Sequence, residues 1–139
     1  HDFKLFRAIP LDQLKLPVYA DFRAPERLFG RVETRDGRSL EGVLVYDLDE
    51  AMDFELLDGQ NGNISYRVPF KYVQKIEPKN YKYTWVKLSG GTELVLGTMC
   101  DVTAANDGIL VFRTGGEVVY VRWRDVKRVE LWTKVKQND

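Results

Sequence analysis

Two stretches of this chain lie over one another without a gap, VETRDGRSLEGVLVYD (32–47) and VKLSGGTELVLGTMCD (86–101), at a constant spacing of 54 residues. Val32 then meets Val86, Gly37 meets Gly91, Leu40 meets Leu94 and Asp47 meets Asp101. Asp53 meets Asp107 at the same spacing. After a shift of one residue PFKYVQKIE (69–77) meets RWRDVKRVE (122–130), which pairs Phe70 with Trp123 and Ile76 with Val129. Turn, core and end positions match together over the whole span, so any fold for this chain has to place two copies of one small unit.

Each copy reads as strands joined by turns. Apolar residues alternate with polar ones through 32–34 and 40–45, a period near two, and Asp36-Gly37 and Gly90-Gly91 are two-residue hairpin signals. Third strands are expected at 54–57 and 109–112, and fourth strands at 64–68 and 118–121, across turns rich in Gly, Asn and Asp. A short break carrying Phe70 or Trp123 leads to fifth strands at 73–77 and 126–131. Five short strands with a break before the last suggest a small bent barrel of the SH3-like or Sm-like kind.

The expected fold is therefore mostly β, with two tandem five-stranded SH3-like or Sm-like barrels packed together. Their bounds are 29–78 and 79–139, and Phe70 and Trp123 plug the two cores. A single ten-stranded sandwich in which the copies exchange strands is the alternative. Residues 1–28 stand outside the repeat. Pro10, Pro17 and Pro25 bar a long helix there, and Phe3, Leu5, Phe6 and Leu11 are too apolar for a free tail, so an extended segment packed on a barrel is expected. The short joint at 78–80 should hold the barrels rigidly.

With 139 residues, 44% hydrophobic and 30% charged, the chain has the composition of a globular protein. Its 21 basic residues balance 21 acidic ones, so no overall positive field draws in phosphate backbones, and nucleic acid is an unfavoured partner. No apolar run is long enough for a membrane helix. The one histidine is His1, which removes His-based triads, Cys-His pairs and two-His metal sites. Cys100 falls at an apolar position of an expected strand and reads as a buried, inert thiol.

The acidic loop 47–53 brings Asp47, Asp49 and Asp53 together, and Asp101 and Asp107 stand at matching places in the second copy. These five are the candidate ligand-binding residues. Oxygen-rich loops hold calcium, but this spacing matches no EF-hand, and Asp in such loops commonly bonds nearby backbone amides. No metal, cofactor or catalytic group is assigned; paired carboxylates such as Asp47 and Asp101 would need a pocket to do acid–base work. Basic and aromatic residues interleave at 79–85 and 122–128, a texture that single-strand nucleic-acid binders share with any half-exposed strand.

The segments GRVETRDGRSLEGVLVYDLDEAMDFELLDG (30–59), LVLGTMCDVTAANDGILV (94–111) and VRWRDVKRVEL (121–131) resemble a group of bacterial proteins, many of them exported, with tandem small β-barrel repeats. The chain departs from that group where relatives carry a Trp, having Val45-Tyr46 instead. The resemblance implies the fold and a periplasmic or secreted location, and no particular chemistry. Elimination then leaves a non-enzymatic binding or assembly module with a protein or peptide partner, which includes a second copy of the chain. An Sm-like RNA-associated protein and a carboxylate-based enzyme are the competing expectations.

Overall fold

The computed structural model describes residues 26–132. The path expected for residues 1–28 thus lies almost wholly outside the described residues. Its last three residues are tied down, with Arg27 bridged to Met52 and Leu28 buried.

Ten strands follow in chain order. The first copy supplies β1 (Phe29–Thr34), β2 (Ser39–Tyr46), β3 (Leu56–Asn61), β4 (Ile64–Pro69) and β5 (Val73–Pro78). The second supplies β6 (Tyr83–Leu88), β7 (Glu93–Gly97), β8 (Ile109–Phe112), β9 (Val118–Val121) and β10 (Val126–Leu131). Single 3-10 turns at Phe70–Tyr72, Cys100–Val102 and Trp123–Asp125 complete the elements. No helix among the described residues is long and apolar enough to cross a membrane.

The third strand of the first copy differs from expectation. It runs to Asn61 rather than ending at 57, and Phe54, read as its start, is exposed. Asp58, Gly59, Gln60 and Asn61 have the composition of a turn, but their outward members are held by cross-strand partners. The Arg67 guanidinium meets the Asp58 carboxylate at 3.1 Å and the Gln60 amide donates to the Ser65 hydroxyl at 3.2 Å. Gly59 faces inward, where a Cβ would lie 2.7 Å from that of Leu96.

All ten strands form one antiparallel sheet in the order β4-β3-β7-β6-β5-β10-β1-β2-β8-β9. By position within the repeat the order is 4-3-2-1-5 followed by 5-1-2-3-4, so the sheet is palindromic about the β5–β10 seam. Ile76 and Val129, equivalent residues of the two copies, face one another there. The two separate barrels expected, one from each copy, are not confirmed: the copies exchange strands, and among the described residues the sheet has two open ends rather than closing.

The joint explains the exchange. Residues 79–82 make a tight turn rather than a spacer: Pro78 pairs with Thr84, and the Asn80 side chain accepts the backbone N–H groups of Lys82 and Tyr83. The turn lays β6 on one side of β5, and β10 takes the other, so β5 has no free side for its own copy's β1. The β1 strand pairs with β10 instead. Two further seams join the copies and are unequal. The β2–β8 seam pairs four residues from each strand, whereas β3–β7 pairs only Gln60 with Gly97.

Inward residues of both halves merge into one core. Val32, Leu57, Val68, Ile76, Val86 and Val111 are fully buried. Tyr46 sits between the two expected plugs, its ring 5.2 Å from that of Phe70 and 5.8 Å from that of Trp123. Both plugs are buried as expected, but in a shared core.

Candidate functional site

The strand exchange brings together carboxyls that lie far apart in the chain. Asp47 and Glu50 arrive on the connection after β2, and Asp101 on the 3-10 turn after β7; one oxygen from each lies within 4.8 Å of the others. Asp47 and Asp101, equivalent in the repeat, are both buried. The Asp107 backbone N–H donates to Asp47 Oδ1 at 2.5 Å, and the Asp58 N–H to Asp101 Oδ2 at 2.9 Å. The Tyr46 hydroxyl and the Asn106 amide both donate to the Asp101 carbonyl, at 2.5 and 2.9 Å. Asp47 and Leu48 adopt positive φ, 53° and 58°, as the chain turns to deliver these groups.

Three carboxyls this close and this dry cannot all be charged. Burial pushes Glu50 up to about 10, with the neighbouring Asp49 and Asp101 adding to the rise. Burial pushes Asp101 up to about 7 against the pull of the Asp58 N–H. Asp47 is also raised by burial, partly offset by the Asp107 N–H and the Asp101 carboxyl. At neutral pH Glu50 therefore keeps its proton and donates toward Asp101, and Asp47 is the member best able to carry charge. The Tyr46 phenol is held well above its usual range by its own burial and by these acids.

The five acidic residues singled out from the sequence separate. Asp47 and Asp101 meet, Asp107 joins through its backbone, and Asp49 lies exposed beside Glu50. Asp53 is elsewhere, accepting the Glu26 N–H. These aspartates do bond backbone amides, as expected, but amides of distant segments rather than of their own turns. Glu50 was not singled out. Its counterpart 54 residues on is Ala104, so the repeat drew no attention to it. A cavity of about 120 Å³ is lined by Leu28, Phe29, Asp53, Phe70 and Trp132, and an open cleft by Tyr81, Tyr83 and Thr98.

Cys100 corrects a second expectation. It is exposed, because β7 stops at Gly97 and Thr98 turns the chain with φ 75°, so the apolar alternation does not continue to it. Three of the six basic residues of 79–85 and 122–128 pair with acids. Arg128 bridges Glu33 and Glu77 at 2.9 Å each, Arg122 meets Asp125 and Lys79 meets Glu77.

The two open ends of the sheet form the other candidate. On β8 and β9 the outward residues are Leu110, Phe112, Val118 and Tyr120, with Leu110 opposite Tyr120 and Phe112 opposite Val118. Val43 and Val45 of β2 extend this apolar face. Phe112 is 40% exposed, Val118 52% and Tyr120 50%. At the other end the outward pairs are Leu56 with Pro69, Asp58 with Arg67 and Gln60 with Ser65. No protein-family model, curated protein or solved structure matches the chain, so the function is argued from this geometry.

Proposed function

We propose that the chain is a non-enzymatic binding module that takes an extended segment of a protein partner along β9, in the extracytoplasmic bacterial setting that the resemblance implies. One observation carries this: among the described residues β9 ends the sheet, and its sequence Val-Val-Tyr-Val has neither proline nor charge to block another strand. Added strands gain affinity from backbone hydrogen bonds and selectivity from alternate side chains. Phe112, Val118 and Tyr120 offer an apolar outer face for the latter, larger side chains than isolated surface residues require. In the carboxyl cluster Asp47 and Asp101 accept the backbone N–H groups of Asp107 and Asp58, which favours a structural role for these two over an acid–base one.

Selection from a random peptide library tests it. The expected binders are extended peptides with apolar residues at alternate positions, whose affinity falls at least about tenfold for Val118→Lys. Binders indifferent to that change, or an absence of binders beside steep salt-sensitive binding of mixed-sequence oligonucleotides, would overturn the proposal.

A further inference from the structure

We infer that the strand received by β9 is the β9 of a second copy of this chain, paired antiparallel with Val119 opposite itself across a twofold axis. The inference rests on the proposed use of the β9 edge and names its occupant. The register follows from hydrogen-bond phase. The Arg113 N–H donates to the Glu117 carbonyl at 2.8 Å, closing the β8–β9 turn. Bonding direction alternates along an antiparallel strand, so Val119 and Val121 direct their N–H and C=O groups to β8. Val118 and Tyr120 direct theirs to the open side.

A twofold axis between adjacent antiparallel strands runs perpendicular to the sheet, so a residue stands opposite its own mate and the two outer faces stay on the same side. Centring the axis at Val119 puts Val118 of each copy against Tyr120 of the other. Both outward-directed residues are then fully used, giving about four backbone hydrogen bonds. The aromatic against β-branched pairing is favourable and occurs twice by symmetry. Shifting the centre to Val118 or Tyr120 leaves one outward residue of each copy facing a turn instead of a strand.

Charge fits a second copy as well. The formal net charge is zero, so copies do not repel as wholes. The other end of the sheet explains why assembly stops at two. Counting from the two-residue turn at 62–63, Ser65, Arg67 and Pro69 face outward from β4. Pro69 has no N–H to give, and Arg67 places a guanidinium beside the edge. One receptive edge used isologously makes a closed pair rather than a fibre.

Sedimentation velocity of the full chain over about 1 to 100 μM tests this. The wild type should shift from monomer to dimer, and Val118→Pro should weaken the dimer at least about tenfold. That change deletes an outward N–H while leaving the β8 ladder whole, and circular dichroism and thermal unfolding check that the variant folds. Val118→Lys serves as a second variant, keeping the N–H and adding charge. A dimer unaffected by both changes overturns the inference. A monomer throughout that still binds a synthetic peptide of residues 117–122 through Val118 overturns the second copy as occupant and leaves the β9 edge as a binding site. A monomer that ignores the peptide also overturns the second copy as occupant, and the selected library peptides then decide the β9 edge by themselves.

Discussion

The hairpins β3–β4 and β8–β9 are the same part of the repeated unit and occupy equivalent ends of the sheet, yet they face water differently. Inside, they agree: Leu57 and Val68 at one end, Ile109, Val111 and Val121 at the other, all at 2% exposure or less. Outside, one carries an ion pair, an amide–hydroxyl bond and the Leu56–Pro69 pair, and the other carries Leu110, Phe112, Val118 and Tyr120. Packing fixes the inner layer, because a change of even one methylene is felt in a dense core. Nothing in the fold fixes the outer layer, so what stands there reflects what the outside meets.

The largest expected effect tests the likeness of the interiors. Phe70→Ala and Trp123→Ala should each cost about 3 to 5 kcal/mol, measured by chemical denaturation, since each removes a buried aromatic that packs on Tyr46. A loss below about 1 kcal/mol for one of them would mean that the two halves are not built alike inside.

Next comes the pH dependence of the carboxyl cluster, where the halves meet. Glu50 and Asp101 have folded pKa values raised to about 10 and about 7 from ordinary values of 4.5 and 3.8. The folded protein holds protons that the unfolded chain releases, so this contribution is complete at acid pH, below the unfolded values, and is lost as pH rises through the folded ones. Glu77 works the other way: its bonds to Arg128 and Lys79 keep its pKa low, so its contribution is lost as pH falls. From about pH 5 to 8 the wild type should therefore lose stability as the pH rises. Asp101→Asn should flatten that slope in denaturation curves taken across the range; an unchanged slope would assign the cluster no part in it.

The smallest effect is expected outside. Val118→Thr keeps the β-branched shape at a half-exposed position and should move stability by no more than about 0.5 kcal/mol. A larger loss, read in the same denaturation assay, would mean that the apolar end serves the fold itself.

Much of the strand layout was legible in the sequence. The runs at 109–112, 118–121 and 126–131 coincide with β8, β9 and β10, because turn residues bracket short apolar stretches there. Alternation tells which face a residue takes but not which strand lies beside it, so the exchange of strands stayed one of two alternatives. The joint at 78–80 reads from the sequence as short and rigid, which does not say that it closes a hairpin; the Asn80 side chain does that by accepting the Lys82 and Tyr83 N–H groups. At the candidate site the repeat pointed to Asp47 and Asp101, whose equivalence places them both near the palindromic axis. Glu50, matched by an alanine, needed the structure.

The pairing of β1 with β10 sets a timetable for the ribosome. The partner of Phe29–Thr34 is Val126–Leu131, so the opening strand of the sheet waits, with Val32 unpaired on that side, until nearly a hundred further residues have been made. The first copy alone has neither the β8 that covers β2 nor the β7 that covers β3. A nascent chain stopped after Pro78 would carry its apolar strands without a place to bury them, and would present them to chaperones or to neighbouring nascent chains. Contacts so distant in sequence also make for slow folding. For this molecule, the second copy is the mould in which the first one sets.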